Sequence, residues 1–270
     1  MAWRLEPIVE SPAASAADAL AFGHAVVVIP DFIGADERKT FIDAAQAVAR
    51  KSEAELVNGD VGQGPSAAQS TTGRLRLQVA DRLDTPSNML TETILRRALA
   101  FVQEHLPAAG ARMLKCSASS LCMLPDHPGL EFSPGEPAVN IYTATGEFKP
   151  HEDKMGLTVL ITLNGEDEFV GGGTAFWSPE HMNDARRGRA EPELVLKPAA
   201  GHALLFGGEV THAGRPVESG TRCMFVASFS PKACAPDKHQ GPNLVSSTAA
   251  AGQGGANEQD IDLEAFLGAT

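Results

Sequence analysis

Three side chains that could bind one metal ion stand in two separate stretches of this chain. His151 and Asp153 are two positions apart, and in an extended strand such residues point to the same face. His212 lies 59 residues after Asp153, a length that allows several short strands to return beside the first. Two imidazoles and one carboxylate on one face would leave coordination positions open, as in non-heme Fe(II) oxygenases. The spacing therefore predicts a metal site that can admit further ligands.

Arg222 is the candidate for binding an anionic ligand near this site. It follows His212 by ten residues and begins the apolar stretch 223–229. A charged side chain at the start of so apolar a strand would be costly to bury without an anionic partner. A guanidinium also matches a carboxylate through two parallel hydrogen bonds. If a dicarboxylate co-substrate binds the metal, we expect Arg222 to bind its distal end.

The elements that must position these residues begin with an N-terminal segment of mixed character. Residues 24–33 are rich in β-branched side chains and contain a Pro-Asp pair, which predicts a strand followed by a turn. Apolar residues at helical spacing predict one helix over about 36–50 and another from about 86 to 105. Residues 58–73 are rich in Gly, Ser, Thr and Gln, and we expect a mobile loop there.

From about residue 112 onward, short apolar segments alternate with Gly, Pro and Asp, as in an all-β sandwich or barrel. The composition of the last residues is of low complexity, which predicts disorder. We therefore predict a mainly β protein with N-terminal helices (α+β), comprising a support over 1–110, a β core over 111–234 and a disordered tail over 235–270. The expected strands of the core are 113–124, 138–143, 157–163, 173–177, 193–197, 202–206 and 222–230.

The composition excludes several classes of function. The 270 residues carry 22 Lys and Arg against 34 Asp and Glu, a formal net charge of −12. Because so acidic a chain repels phosphate backbones and anionic lipids, we expect neither nucleic-acid nor membrane-surface binding. The sequence has no apolar run of the roughly 18 residues that a bilayer span requires, and its first residues do not resemble a secretory signal. We expect a soluble, cytoplasmic protein.

The part of the chain around the proposed ligands resembles a known family. It is similar to the Fe(II)/2-oxoglutarate dioxygenase superfamily, and specifically to its prolyl 4-hydroxylase-like branch. The resemblance covers about residues 136–230 and lies in the stretches YTATGEFKPHED, GLTVLITLN, FVGGGTAFW, KPAAGHALLFGGEVTHAG and SGTRCMFVASF. It implies a double-stranded β-helix, that is, a cupin-like jelly roll.

The resemblance also implies roles for six residues. The Fe(II) ligands of the family match His151, Asp153 and His212. The basic residue that holds the distal carboxylate of 2-oxoglutarate matches Arg222. By the same likeness, Tyr142 and Thr174 hydrogen-bond this co-substrate.

The implied reaction couples oxidative decarboxylation of 2-oxoglutarate by O2 to hydroxylation of a substrate C–H bond, with ascorbate as an expected reductant. Retention of Asp153 argues against halogenation, which needs that coordination position free for halide. We expect an oxidoreductase that acts on an unactivated C–H bond. A prolyl residue in a peptide or protein is the first candidate substrate.

Two alternatives are left open by the sequence, as is the oligomeric state. The same chemistry could act on a free amino acid or other small metabolite, because only three residues separate Asp153 from the next predicted strand. Many peptidyl-prolyl members have a longer insert there. A non-catalytic jelly-roll binding module is the alternative from another class.

Arg74 and Arg76 could contact substrate, but we interpret them as a solvated strand face.

Overall fold

Two antiparallel sheets that pack against each other form the centre of the structure. The structure is a computed structural model that describes residues 2–9, 15–57, 73–116 and 129–232, with only the backbone over 51–57. The predicted mobile loop, apart from Gly73, and the predicted tail lie outside the described residues. So do residues 117–124 of the first expected core strand.

The larger sheet has the strand order β1-β2-β11-β7-β14-β5-β3, with β4 paired to β14. The smaller sheet has the order β10-β9-β12-β6, and β8 pairs with β13. The strands are β1 (Arg4–Pro7), β2 (Ala25–Ile29), β3 (Arg74–Gln78), β4 (Leu130–Phe132), β5 (Ala138–Tyr142), β6 (Phe148–His151), β7 (Leu157–Thr162), β8 (Phe169–Gly171), β9 (Thr174–Trp177), β10 (Leu194–Leu196), β11 (Ala203–Phe206), β12 (Thr211–Gly214), β13 (Val217–Gly220) and β14 (Arg222–Pro231).

The chain passes repeatedly from one sheet to the other. Strands β5, β7, β11 and β14 of the larger sheet alternate along the sequence with β6, β9 and β12 of the smaller sheet. Strands that pair are therefore mostly distant in sequence, which is the connectivity of a double-stranded β-helix. The predicted fold class, a jelly roll with N-terminal helices, is confirmed.

Both faces of the larger sheet are buried. On β14, Met224 and Val226 join the apolar cluster between the sheets, whereas Phe225 and Ala227 join the cluster on the helical side. This alternation follows from the two-residue period of a strand. Because both faces are covered, the strands are continuous apolar runs, which made them recognisable in the sequence.

Helices cover the outer face of the larger sheet and contribute to the cluster on that side. Helix α4 begins close to its predicted position because Asp84 accepts a hydrogen bond from the Ser87 amide and a proline occupies the first turn. Helix α2 continues beyond its predicted end. The helices are α1 (Ala16–Ala21), α2 (Ala35–Val57), α3 (Val79–Arg82), α4 (Thr85–His105), α5 (Pro107–Met113) and α6 (Met182–Arg186). No helix in the described ranges is both long and apolar enough to cross a bilayer.

The described beginning of the expected strand 113–124 is not a strand. Met113 is the last residue of α5, which starts at Pro107 and buries Ala109 and Met113. Proline at the first helical position and the tertiary burial of these side chains favour a helix over the strand that the apolar pattern predicts.

Three strands from the N-terminal part of the chain extend the larger sheet. The predicted strand within 24–33 is confirmed as β2, and β1 pairs with it at the sheet edge. Strand β3, which carries the Arg74 and Arg76 that we interpreted as a strand face, pairs with β5 at the opposite edge. Its leucines Leu75 and Leu77 pack on the helical side. The arginines between them therefore belong to the face that looks toward the smaller sheet.

We expect Phe225→Ala to lower the free energy of unfolding by about 3–5 kcal/mol, because the cavity left behind cannot be filled by packed neighbours. Phe225 is fully buried and stacks on Phe41, with ring centroids 5.1 Å apart. Urea denaturation measures the change. Val170→Ala is the control, because Val170 is 56% exposed and its loss should change stability by less than about 0.5 kcal/mol. Equal effects of the two substitutions would contradict the assignment of Phe225 to the core.

Candidate active site

The two histidines singled out from the sequence are direct cross-strand partners. His151 ends β6 and pairs with His212 of β12. Asp153 follows β6, and its Oδ1 and Oδ2 lie 3.4 Å from His151 Nε2 and 3.6 Å from His212 Nε2 respectively. One potential ligand atom from each residue lies within 4.8 Å of the other two. The fold therefore brings together all three residues of the predicted metal site.

Hydrogen bonds to the backbone fix the orientation of both imidazoles. His151 Nδ1 lies 2.8 Å from the Lys149 carbonyl oxygen, and His212 Nδ1 lies 3.0 Å from the Val210 carbonyl oxygen. Because a carbonyl can only accept, each Nδ1 carries a proton, and Nε2 is the ring nitrogen that faces a metal. Burial lowers the pKa of His212 to about 4, so this ring is neutral at neutral pH and able to bind a metal.

The Asp153 carboxylate is held ionised in one orientation. Burial raises its pKa, but His212, His151 and the Thr158 hydroxyl lower it, and their combined effect is larger. The pKa of Asp153 therefore lies well below its usual range. Thr158 Oγ1 donates to Asp153 Oδ2 at 2.7 Å and lies 3.1 Å from Ser228 Oγ. Partners of this kind orient metal-binding carboxylates.

A close approach of two turns places Asp153 beside the histidines. The Lys154 amide donates to the Gly208 carbonyl at 2.8 Å. A Cβ atom at Gly208 would lie only 2.0 Å from the Met155 carbonyl oxygen, so a side chain at this position would clash with the backbone. Since Gly208 shortly precedes β12, this contact joins the turn after Asp153 to the strand that carries His212.

The donor set fits a divalent metal of the non-heme iron type. Two imidazole nitrogens and one carboxylate oxygen form the 2-His-1-carboxylate set, which uses one face of the metal. The three residues line a cavity between the two sheets together with further polar and apolar side chains. The cavity side of the site is therefore where a co-substrate and O2 would have to bind.

Arg222 lies in the same cavity and is almost completely buried. Its Nη1 donates to the Gly173 carbonyl at 3.0 Å, and its Nη2 donates to Thr174 Oγ1 at 3.1 Å. Within the described ranges, no carboxylate pairs with it. Burial lowers its pKa, but a guanidinium stays charged at neutral pH. A buried cation without an anionic partner fits a site for the carboxylate of a ligand.

The glycines before β9 make room for Arg222. Gly172 has a φ of +64°, and a Cβ atom there would lie 3.2 Å from Arg222 Cδ. A side chain at this position would be strained and would crowd the arginine. The Gly-Gly-Gly sequence 171–173 therefore contributes to the shape of this site.

Tyr142 and Thr174 complete the set of predicted site residues. Tyr142 lies opposite Arg222 in the pairing of β5 with β14, and burial raises its pKa, so its hydroxyl stays protonated. Thr174 accepts a hydrogen bond from Arg222, as described above. These two residues and Arg222 line the cavity along with His151, Asp153 and His212.

The interpretation of Arg74 and Arg76 as a solvated strand face is wrong. Arg74 is only 5% exposed, and Arg76 forms an ion pair of 2.7 Å with the buried Glu136. The reason is that β3 pairs with β5, so its arginines face the smaller sheet rather than solvent. The Arg-Leu-Arg-Leu pattern indicated that the arginines share a face, but not that this face is covered.

Glu136 and Asn140 also line the cavity, and we predicted neither from the sequence. Burial raises the pKa of Glu136, and the nearby Asp153 carboxylate raises it further. Arg76 and the Ser228 amide, which donates to Glu136 Oε2 at 2.5 Å, oppose this shift. Neither residue belongs to a recognisable motif, so no sequence signal pointed to them.

Residues 137–229 match the family model described as the 2OG-Fe(II) oxygenase superfamily. The match spans the chain from β5 into β14 and includes all six predicted site residues. The jelly-roll core of this chain therefore matches the 2OG-Fe(II) oxygenase superfamily, as the sequence resemblance indicated. The protein is an oxidoreductase of the 2-oxoglutarate-dependent type, with Fe(II) as its metal and 2-oxoglutarate as its co-substrate.

Several solved structures are similar at low identity. One is the viral collagen prolyl hydroxylase of Paramecium Bursaria Chlorella virus-1 in its 2OG complex (14% identity, 76% of this chain and 94% of that chain, TM-score 0.44). Another is a Pseudomonas putida prolyl-4-hydroxylase (16% identity, 80% of this chain and 97% of that chain, TM-score 0.43). A third is HygX from Streptomyces hygroscopicus with nickel, 2-oxoglutarate and hygromycin B bound (13% identity, 78% of this chain and 84% of that chain, TM-score 0.48). The search of curated proteins found no match.

We expect Arg222→Met to raise the free energy of unfolding of the ligand-free protein by about 1 kcal/mol, because methionine removes a buried charge that no carboxylate balances. Urea denaturation without metal or 2-oxoglutarate measures the change. Arg112→Met, which removes an exposed arginine that pairs with Asp18, is the control and should change stability by less than about 1 kcal/mol. A clear loss of stability in Arg222→Met would mean that its hydrogen bonds outweigh the cost of burial.

Proposed function

We propose that this protein is a hydroxylase in which His151, Asp153 and His212 bind Fe(II) and 2-oxoglutarate is the co-substrate. The observation that carries this proposal is the convergence of the three donor atoms in one cavity with a buried arginine, which pairs with no carboxylate of the described residues. When bound, the metal and co-substrate would activate O2, one atom of which enters succinate as 2-oxoglutarate loses CO2 while the other hydroxylates the substrate C–H bond. The protein supplies binding and orientation.

Arg222 would bind the distal carboxylate of 2-oxoglutarate. Its nitrogens already donate to Gly173 and Thr174, which hold the planar group in one orientation. Because Thr174 Oγ1 accepts from Arg222, its own proton is free to donate to a carboxylate. The protonated hydroxyl of Tyr142 can donate as well. These contacts would give the co-substrate one orientation relative to the metal site.

Apolar side chains would limit the access of water to the site. Phe206 packs on the His212 ring with centroids 4.8 Å apart, and Phe148 packs on the His151 ring at 4.0 Å. Leu160, Met224 and Val226 line the same cavity. A low-dielectric cavity strengthens the electrostatic contacts that position a charged co-substrate.

The substrate suggested by the sequence resemblance is a prolyl residue of a peptide or protein, with a free amino acid or other small metabolite as the alternative. Hydroxylation of either substrate would use the same metal and co-substrate. The assignment of the metal ligands is therefore independent of which substrate is correct. The non-catalytic binding module differs because it predicts no turnover of 2-oxoglutarate with any substrate.

We expect Asp153→Ala to reduce 2-oxoglutarate decarboxylation more than about 100-fold, because it removes the one anionic metal ligand. Succinate formation is measured with Fe(II), ascorbate and panels of proline-rich peptides and free amino acids. Arg222→Ala is the matched variant, expected to raise the KM for 2-oxoglutarate about 10- to 100-fold while metal affinity is unchanged.

Equal turnover by Asp153→Ala and the unsubstituted enzyme would defeat the ligand assignment. Loss of metal binding in Arg222→Ala would defeat the role given to the arginine. Absence of turnover by the unsubstituted enzyme across both panels would favour the binding module.

We expect Thr158→Val to weaken metal binding about 10-fold or more, because Asp153 loses the hydroxyl that orients it. Calorimetric titration with Ni(II), which binds such donor sets without oxidation, gives the affinity. Thr93→Val is the matched control, since Thr93 is exposed and its hydroxyl donates only to a helix carbonyl. Unchanged Ni(II) affinity in Thr158→Val would show that Asp153 is positioned without this contact.

A further inference from the structure

Arg74 is a buried cation near the cavity for which the proposed function has no role. It lies opposite Tyr142 in the pairing of β3 with β5, and Tyr142 in turn lies opposite Arg222 in the pairing of β5 with β14. The three side chains therefore form a row across neighbouring strands on the face toward the smaller sheet. Arg222 at one end is assigned to 2-oxoglutarate, and Arg74 stands at the other end.

Among the described residues, the guanidinium of Arg74 has no partner that balances its charge. Arg74 is 5% exposed, and its Nε has no hydrogen-bond partner. No carboxylate in the described part of the chain forms an ion pair with it, although Arg76 on the same strand is paired with Glu136. An unpaired buried guanidinium costs free energy, and an anionic ligand would offset that cost.

One aromatic ring separates Arg74 from the metal site. Its guanidinium carbon lies 3.9 Å from the centre of the Phe148 ring, and that ring lies 4.0 Å from the His151 ring. Stacking on Phe148 orients the guanidinium without neutralising it. A molecule whose anionic group binds Arg74 would therefore lie one ring away from the metal site.

Asn140 supplies a second unsatisfied group in the cavity. It lies two positions before Tyr142 on β5, on the same face of the sheet, and its Oδ1 is buried without a partner. A buried amide oxygen calls for a hydrogen-bond donor. The cavity therefore offers an unmatched acceptor, and an unmatched cation lies beside it against the cavity-lining Phe148. Neither group is assigned to the metal or to 2-oxoglutarate.

We propose that Arg74 binds a carboxylate of the substrate, and that the substrate is a small acid with a hydrogen-bond donor for Asn140, such as a free α-amino acid. This inference rests on the proposed function and chooses its small-metabolite alternative. A prolyl residue within a peptide has no carboxylate of its own, whereas a free amino acid carries both the carboxylate and the donor.

The test compares acids with their amides in protein loaded with Ni(II) and 2-oxoglutarate. Calorimetric titration is carried out with the common L-amino acids and with the corresponding amino acid amides, in which a neutral carboxamide replaces the carboxylate. At least one acid should bind about 10- to 100-fold more tightly than its amide, as expected for a charge-assisted contact. Arg74→Met should remove this preference while the affinity for 2-oxoglutarate is unchanged, and Arg74→Lys should restore part of it.

Arg97→Met is the matched control. Arg97 lies on α4, outside the cavity, and pairs with Glu37, so its loss should leave the acid preference intact. Equal binding of acids and amides, or no binding by any acid, would overturn the inference. Weaker 2-oxoglutarate binding in Arg74→Met would overturn it as well, since Arg74 would then belong to the co-substrate site. Failure of the unsubstituted protein to bind 2-oxoglutarate would overturn the proposed function itself.

Discussion

The antiparallel pairing of β12 with β6 is the interaction on which the site depends. It places His212 opposite His151, so that both rings project from one face of the smaller sheet. The turn after Asp153 is held against the turn before β12 by the contact at Gly208. A shift of this pairing by one residue would turn one imidazole to the other face and leave no common site.

The inner face of the larger sheet is divided between packing and binding. Toward β2 and β11 it is apolar, and Phe206 packs edge-on against Phe176 of the smaller sheet, with ring centroids 5.3 Å apart. Toward β14, β5 and β3 it carries arginine, tyrosine and asparagine side chains, some without partners. Groups of this kind reduce stability when no ligand is bound, and such costs are common at functional sites. The apolar half keeps the sheets together while the polar half is available to ligands.

The charge of the cavity differs from that of the whole chain. The sequence has a net charge of −12, yet Arg222, Arg74 and Arg76 all face the space between the sheets. Of the nearby carboxylates, Asp153 belongs to the proposed metal site and Glu136 is already paired. Since salt screens exposed charges over about 10 Å, the acidic surface acts weakly at a distance whereas buried cations act at contact. In the proposed function, anionic ligands would be recognised by contact inside the cavity rather than attracted from afar.

The amino-acid sequence by itself determined the residue types of the site and most of the elements that carry them. The His-x-Asp spacing, the apolar strand after Arg222 and the capped start of α4 are local patterns, and local patterns can be read without knowing partners. The roles of the six site residues remain proposals, although the fold brings their side chains to one cavity. Only the tertiary structure decided that β3 joins β5, that Arg74 is buried and that Met113 ends a helix. The alternation of a strand identifies its two faces, but which face is covered depends on segments distant in the sequence.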